Sequence, residues 1–319
     1  MFYCTAPGLA MWVLDWGMRI YELGGKLEST ITALGNGWFC LTLPLPRRRL
    51  DGCACHSPLA HFHIHHTESS IREIHPFTTI THLASQKVAT PSSTSQKVIT
   101  LPRNDKETVT VQFLFRKSQN TPTPTLSTNH PQEEKKSKEW TNKLASLVEE
   151  PILTSDSTSE KTEDPEKNPN PSSTHHTSLR LEGPYFTPAE PSRYSTVICL
   201  VAGTGISGAI AIAAAFRSSR GEQNPRWKRC VIFWSVRETE YIRLPFLPED
   251  TPGLEVRPHL TGKGRARLDA GRAIGEVLEC GAETREGVWV YLSGPNPFIE
   301  SGERACRELR VAYYGARWS

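Results

Sequence analysis

Three glycines, Gly203, Gly205 and Gly208, form the pattern whose residue types and spacing point most directly to chemistry. They follow an apolar, β-branched run at 197–201 that predicts a buried strand, and the Ala- and Ile-rich run after them predicts a helix. Glycine lets a backbone turn tightly and approach a pyrophosphate, and the free N–H groups of the following helix face the anion. The pattern predicts a dinucleotide-binding turn, with a strand–turn–helix that uses glycine only for packing as the alternative.

The rest of the C-terminal part alternates predicted strands and helices. Apolar runs predict strands at 230–235, 254–260 and 288–292, and helical periodicity marks 268–280 and 296–309. Such alternation is typical of a parallel sheet with helices on both faces. The glycine turn then belongs to the first strand of an α/β domain, which we place at 191–319.

The N-terminal part has the pattern of antiparallel β-structure. Residues 28–45 form two β-rich runs around Gly35-Asn36-Gly37, which supplies the positive φ angles of a tight hairpin turn. Residues 108–115 alternate apolar and polar side chains with the period of a strand. We therefore predict an α+β chain of two domains, an antiparallel β-barrel at 25–116 that is completed by 178–190, followed by the α/β parallel-sheet domain.

Between these halves the composition changes sharply. Residues 117–177 consist largely of Ser, Thr, Pro, Glu, Lys and Asn, and only 140–148 has enough apolar content for a short helix. A segment of this kind cannot bury enough apolar surface to offset the entropy of ordering it. We predict a disordered insertion at 117–177.

Length, charge and cysteine usage narrow the class of protein. A chain of 319 residues is long enough for two domains with separate cores. The net charge of +3 comes from scattered basic residues, so we expect no nucleic-acid partner. Eight cysteines at irregular positions, with no signal-peptide pattern before them, fit reduced thiols on the cytosolic side of the cell.

A histidine-rich stretch at 53–66 invites a metal-site interpretation. The possible zinc ligands are Cys53, Cys55, His56, His61, His63 and His65. Their spacing matches no common structural zinc site, which usually has CxxC pairs. Because side chains alternate along a strand, the last three histidines would share one face, with Phe62 and Ile64 on the other. We predict a half-buried strand and no metal ligand.

The N-terminus carries an apolar run at 6–14, shorter than the roughly 20 residues that a bilayer-crossing helix needs. Trp12, Trp16 and Tyr21 alternate with charged residues, as at the interfacial end of a membrane helix. We expect residues 1–24 to form a membrane-proximal helix. An amphipathic surface helix is the alternative.

Four short motifs, in order along the chain, resemble those of fungal ferric-chelate reductases, which are relatives of the NADPH oxidases. Residues 15–19 also resemble the junction that follows the last transmembrane helix in that family. The resemblance implies the two-domain architecture of ferredoxin–NADP reductases, with FAD on the barrel and NADPH on the α/β domain. The motifs are His75-Pro76-Phe77-Thr78, Gly183-Pro184-Tyr185 after Glu182, Gly203-Thr204-Gly205-Ile206 and Ser293-Gly294-Pro295.

The resemblance also implies individual roles. Thr78 would hydrogen-bond the redox-active flavin ring, and Tyr185 would lie against the ribityl chain or ring. His75 takes the place of a cation for the flavin pyrophosphate. Gly203 and Gly205 would hold the NADPH pyrophosphate, and Ser293-Gly294-Pro295 would lie beside the nicotinamide. Structural packing is the alternative for both His75 and Tyr185.

The end of the predicted second strand of the α/β domain bears on cofactor choice. An acid at this position usually binds the ribose 2′-hydroxyl of NAD. Here Ser235 and Arg237 could bind a 2′-phosphate instead, with the guanidinium as a bidentate donor. We therefore expect NADPH, although the neighbouring Glu238 keeps NADH open and a solvated loop arginine is the alternative for Arg237.

Several departures from the family pattern are informative. Ser293 replaces the family's cysteine before Gly-Pro, and residues 57–66 lack its Gly-Gln-His element. Trp318 is only a loose match to the family's C-terminal aromatic residue. The family's haem-binding transmembrane helices are not found in this chain, so we expect haem only in an upstream segment.

These observations predict an NADPH-dependent, ferric-chelate-reductase-like enzyme, a truncated one being possible. It would be membrane-associated on the cytosolic face and would pass electrons from NADPH through FAD to a ferric chelate or a haem. Two alternatives remain. One is a flavin-free Rossmann-type NAD(P)-binding protein, and the other is a non-catalytic remnant.

Overall fold

The computed structural model describes residues 5–23, 25–50, 57–66, 75–83, 108–117, 140–148, 174–221, 226–247, 251–280 and 285–317. Two sheets organise these residues. The first is antiparallel and the second is parallel, so the predicted order of a β-domain followed by an α/β domain is confirmed.

The first domain is a six-stranded antiparallel sheet with the order β4-β3-β6-β1-β2-β5. A bridge between Thr79, just after β4, and Phe113 on β5 joins the two ends of this order, which closes the sheet into the predicted barrel. The strands are β1 (Leu27–Gly35), β2 (Trp38–Pro46), β3 (Ala60–His66), β4 (His75–Thr78), β5 (Thr108–Arg116) and β6 (Thr174–Phe186).

The β1–β2 hairpin forms where the glycines predicted it. Gly35, Asn36 and Gly37 all have positive φ angles, which is the geometry that a tight turn between twisted strands requires. Alternate side chains of the hairpin, such as Ile31 and Leu41, are fully buried in the barrel core.

A helix at 140–148, which we label α2, lies inside the stretch predicted to be disordered. Trp140, Leu144, Ala145 and Val148 are spaced to share one face of a helix, and all four are buried against the barrel core. The helix forms in the part of this stretch whose apolar content allowed one, whereas the prediction of disorder is wrong for 174–177, which begin β6. Four well-spaced apolar residues suffice for docking, although the surrounding composition is polar. The remainder of the predicted insertion lies outside the described residues.

The second domain is a five-stranded parallel sheet with the order β11-β10-β7-β8-β9. Helix α3 packs on one face, and α4 and α5 pack on the other. The sequence did not predict β11. The elements are β7 (Thr196–Ala202), α3 (Ile206–Ser219), β8 (Arg229–Arg237), β9 (Leu254–Thr261), α4 (Ala270–Cys280), β10 (Val288–Ser293), α5 (Asn296–Leu309) and β11 (Ala312–Ala316).

Glu240, just after β8, joins the two domains. Its carboxylate pairs with the guanidinium of Arg116 at the end of β5. Its carbonyl oxygen accepts a 2.7 Å hydrogen bond from the indole N–H of Trp38. The Trp38 ring also packs edge-to-face on Trp234 of β8, with 5.8 Å between ring centroids. Because Glu240 and Trp38 are both buried, this contact fixes the α/β domain against the barrel.

Helix α1 spans Thr5–Leu23 at the N-terminus. Within the described residues, no helix is long and apolar enough to cross a membrane. Large apolar side chains of α1 are more than half exposed, a set comprising Leu9, Met11, Trp12, Val13, Leu14, Trp16 and Met18.

Replacing Glu240 with Gln tests the inter-domain contact. We expect Glu240→Gln to lower the free energy of unfolding by about 2 kcal/mol, because it leaves the partly buried Arg116 guanidinium unpaired. Glu276→Gln, which removes an exposed ion pair with Arg272, should change it by less than about 0.5 kcal/mol. Urea denaturation of both variants measures the difference, and equal values would contradict the proposed contact.

Candidate functional site

Strand β3 brings two of the sequence motifs together. It pairs with β4 on one side and with β6 on the other. His61 lies opposite Thr78 of the first motif and opposite Tyr185 of the second. Residues more than 100 positions apart in sequence therefore lie on adjacent strands at the barrel surface.

The Gly183-Pro184-Tyr185 segment bends where β6 passes β3. Gly183 has a φ of +114°, and a Cβ atom there would lie 3.2 Å from the carbonyl oxygen of His61. The peptide bond between Gly183 and Pro184 is cis. Pairing between β3 and β6 is irregular at this point, between His61 and His63. Only glycine suits both the left-handed conformation and the close approach of β3.

The Tyr185 side chain is held in place by its neighbours. Its hydroxyl donates a hydrogen bond to the carboxylate of Glu182. Its ring lies 5.4 Å from the His61 ring and 5.1 Å from the His63 ring. The second motif thus presents a fixed aromatic surface beside the histidine strand.

Strand alternation separates the side chains of β4. Thr78 faces a cleft between the domains. Phe77 instead packs against the barrel core and Trp140, and the His75 ring stacks on Trp140 with 4.5 Å between centroids. His75 is therefore packed against α2, as in the structural alternative considered for it.

Two of the alternating histidines of β3, His63 and His65, lie near the Glu182 carboxylate. His63 Nδ1 and His65 Nε2 each lie 3.8 Å from Glu182 Oε2. Burial lowers the pKa of His65, an effect that the nearby Glu182 carboxylate partly offsets. Phe62 is fully buried on the opposite face, so the predicted half-buried strand is confirmed.

The described residues contain no group of three or more His, Cys, Asp or Glu side chains arranged to hold a metal ion. Cys53, Cys55 and His56 lie outside the described residues.

The glycine turn connects β7 to α3 as the sequence predicted. Gly203 has a φ of +55°, and the space where a Cβ atom would stand is open. Its carbonyl oxygen accepts a 3.1 Å hydrogen bond from the indole N–H of Trp234. An open, positive-φ glycine at the start of a helix is the geometry that lets a phosphate approach the backbone. The residues therefore fit a dinucleotide pyrophosphate.

The two other glycines of the pattern allow β10 to approach closely. A Cβ atom on Gly205 would lie 2.7 Å from the carbonyl oxygen of Ser293, and one on Gly208 would collide with the Tyr291 hydroxyl. The structure thus brings Ser293-Gly294-Pro295 against Gly203-Thr204-Gly205-Ile206. Ile206 itself is fully buried, so its side chain belongs to the core.

Ser293 is buried at the end of β10. It accepts or donates a hydrogen bond with the hydroxyl of Tyr291, whose pKa is raised above its usual range chiefly by burial. Gly294 turns the chain with a φ of +153°, and the carbonyl oxygen of Pro295 accepts hydrogen bonds from the first turn of α5. The motif therefore anchors the carboxyl end of β10 beside the glycine turn.

A small cleft lies where the domains meet. Its lining comes from both domains and consists of Leu59, Ala60, His61, Thr78, Thr187, Tyr291, Tyr314 and Ala316.

Two aromatic residues of this cleft were missed by the sequence analysis. Tyr291 lies within a strand that was predicted only as apolar, and Tyr314 lies on the unpredicted β11. Their rings stack on each other, with 6.4 Å between centroids. The run Ala312–Ala316 after the end of α5 was the available signal for a further strand. Trp318 lies outside the described residues.

The end of β8 carries the residues expected to choose the cofactor. Ser235 is half-buried, opposite Ala202 of β7, and the Arg237 side chain is 58% exposed. Arg237 Nη1 lies 3.4 Å from Glu240 Oε1. Glu238 pairs with Arg265 from the loop after β9. The edge next to the glycine turn is therefore lined by guanidinium groups.

Comparison with known proteins found similarity only to solved structures of low sequence identity. No family model and no curated protein matches the chain. One similar solved structure is the ferredoxin reductase in carbazole 1,9a-dioxygenase (FAD apo form), with a TM-score of 0.47 and 17% identity over 91% of this chain and 68% of that one. The CS-b5R domains of human Ncb5or (NAD+ form) give a TM-score of 0.46 and 14% identity, covering 91% and 69%.

Ferredoxin-NADP+ reductase from Plasmodium falciparum with 2'P-AMP is also similar, with a TM-score of 0.47 and 11% identity over 92% of this chain and 97% of that one. This chain itself has an antiparallel sheet followed by a parallel α/β sheet.

Substitution of Gly205 tests the close approach of β10. We expect Gly205→Ala to lower the free energy of unfolding by about 1–3 kcal/mol, because its Cβ atom would overlap Ser293. Gly275→Ala on α4 is the matched control. A Cβ atom at Gly275 would meet no atom within 4 Å, so this substitution should stabilise the chain by about 0.5–1 kcal/mol. Thermal unfolding compares the two, and a neutral Gly205→Ala would show that β10 does not constrain the turn.

Proposed function

We infer that the protein is an FAD-dependent, NADPH-oxidising reductase that passes electrons to a ferric chelate or a haem. The observation that carries this proposal is the shared cleft. Thr78 and His61 of the barrel face Tyr291 and Tyr314 of the α/β domain there. A flavin held by the first domain and a nicotinamide held by the second would meet at this cleft.

When bound, FAD would supply the hydride-accepting chemistry and the release of single electrons. The chain supplies binding and orientation. The backbone N–H groups at Gly203–Gly205 and the start of α3 would hold the NADPH pyrophosphate. Thr78 would donate its hydroxyl to the flavin ring, and Ser235 and Arg237 would bind the 2′-phosphate.

The junction at Glu240 serves this chemistry by fixing the distance between the two binding surfaces. Hydride transfer needs the reacting atoms about 3–3.5 Å apart, which a loose pair of domains would not maintain. The aromatic walls of the cleft, Tyr291 and Tyr314, would exclude water from the place where the two rings meet.

The visible spectrum of the purified full chain tests the proposed reductase. We expect a bound flavin that bleaches when NADPH is added under argon. We also expect the protein to reduce ferric citrate, and a ferrous-specific chelator would report the Fe²⁺ formed. A colourless protein that still binds NADPH would favour the flavin-free alternative. A protein that binds neither cofactor would favour the non-catalytic remnant.

Thr78→Val keeps the size of the side chain and removes its hydroxyl. We expect flavin reduction by NADPH to slow by about tenfold, the cost of one lost hydrogen bond to the ring. Thr110→Val, at an exposed position of β5, should leave the rate unchanged. Stopped-flow absorbance measures both rates, and equal rates would remove Thr78 from the flavin site.

Association with a membrane surface is a further part of the proposal. The exposed apolar side chains of α1 support it, since contiguous exposed apolar surface on a helix marks an interaction site. Co-sedimentation with phosphatidylcholine–phosphatidylserine vesicles tests it. We expect the wild-type chain to bind the vesicles and the double variant Trp12→Ser/Trp16→Ser not to bind them. Val256→Ser, which changes an exposed apolar residue of β9, should leave binding intact. Absence of wild-type binding would contradict this part alone.

A further inference from the structure

The ends of β8 and β9 lie side by side next to the nucleotide turn. Strand β8 runs parallel to β7, and Arg237 at its end pairs with Thr261 at the end of β9. Glu238 follows β8 directly, and the loop 262–269 follows β9. Both therefore leave the sheet at the carboxyl edge, where parallel α/β domains bind their ligands.

An ion pair joins these two segments. Nη2 of Arg265 lies 3.0 Å from each carboxylate oxygen of Glu238. The Arg265 side chain is 47% exposed and that of Glu238 is 60% exposed, so both remain within reach of a ligand at this edge. The pair neutralises Glu238, the acidic residue next to the strand end where NAD-binding domains place theirs.

The second pair at this edge differs from the first. Arg237 contacts Glu240 at 3.4 Å, but the Glu240 carboxylate is buried and already pairs with Arg116 of the barrel. Three guanidinium groups, those of Arg116, Arg237 and Arg265, thus face the two carboxylates of Glu238 and Glu240. These five side chains carry a net positive charge. Arg237 shares its partner, the Glu240 carboxylate, with Arg116.

We propose that Arg265 sets a preference for NADPH over NADH by neutralising Glu238, an inference that rests on the proposed function. A free carboxylate at this position would accept hydrogen bonds from the ribose 2′-hydroxyl and would repel a 2′-phosphate. Paired with Arg265, Glu238 does neither, and Arg237 is left to bind the phosphate. Arg265 is a positioning residue that acts through Glu238.

Calorimetric titration of the full chain tests whether Arg265 affects binding of the 2′-phosphate alone or nucleotide binding in general. The probes are adenosine 2′,5′-bisphosphate and 5′-AMP, which differ only in the 2′-phosphate. For Arg265→Ala we expect the Kd of the bisphosphate to rise about tenfold, the effect of one uncompensated charge near a protein surface. The Kd of 5′-AMP should stay the same or fall. Arg265→Lys, which keeps the charge, should behave as the wild type.

Arg272→Ala is the matched control. It removes an exposed arginine that pairs with Glu276 on α4, and it should leave both affinities unchanged. The double variant Arg265→Ala/Glu238→Gln should regain the wild-type bisphosphate affinity within about twofold, because the repelling carboxylate is gone.

Two results would overturn the inference while the proposed function stands. One is unchanged bisphosphate affinity in Arg265→Ala. The other is a double variant as weak as the single one, which would mean that Arg265 contacts the phosphate itself. A wild-type chain that binds neither probe would overturn the proposed function, and the inference with it.

Discussion

The buried contact around Glu240 joins the two domains of the structure. One residue pairs its carboxylate with Arg116 of the barrel and its carbonyl oxygen with the indole of Trp38. Because a buried carboxylate is costly unless it is paired, the two domains are coupled and not merely adjacent. The cleft bounded by Thr78 on one side and Tyr314 on the other lies between the same two domains.

The three glycines of the turn between β7 and α3 have two different structural reasons. Gly205 and Gly208 are glycines because β10 and its Ser293 and Tyr291 lie against them, whereas Gly203 is a glycine because of its backbone conformation. One pattern in the sequence therefore serves two ends. Gly203 leaves open space beside the backbone of the turn, and Gly205 and Gly208 let the last motif of the chain pack against that turn.

Local sequence predicted the parts of the fold that depend on local physics. The hairpin at Gly35-Asn36-Gly37, the alternation of β3 and the strand–turn–helix at Gly203 all follow from conformational preference and periodicity. The apolar content of 140–148 allowed a short helix, but its order could not be predicted because the stability of α2 comes from packing on the barrel.

The site was predictable in outline only. The order of the motifs indicated which residues to examine, but strand alternation decides that Thr78 lines the cleft while Phe77 and His75 pack against the barrel and α2. Tyr291 and Tyr314 enter the site through sheet order, since β10 and β11 are neighbours. The Glu238–Arg265 pair also depends on the adjacency of β8 and β9, which joins residues 27 positions apart.

A crystal structure of the full chain grown with FAD and NADP+ tests the two proposed cofactor sites together. We expect the flavin ring in the cleft bordered by Thr78, Tyr291 and Tyr314, and the NADP+ pyrophosphate on the turn at Gly203–Gly205. Electron density for either cofactor at another surface, or a cleft that stays empty while the turn is filled, would contradict it.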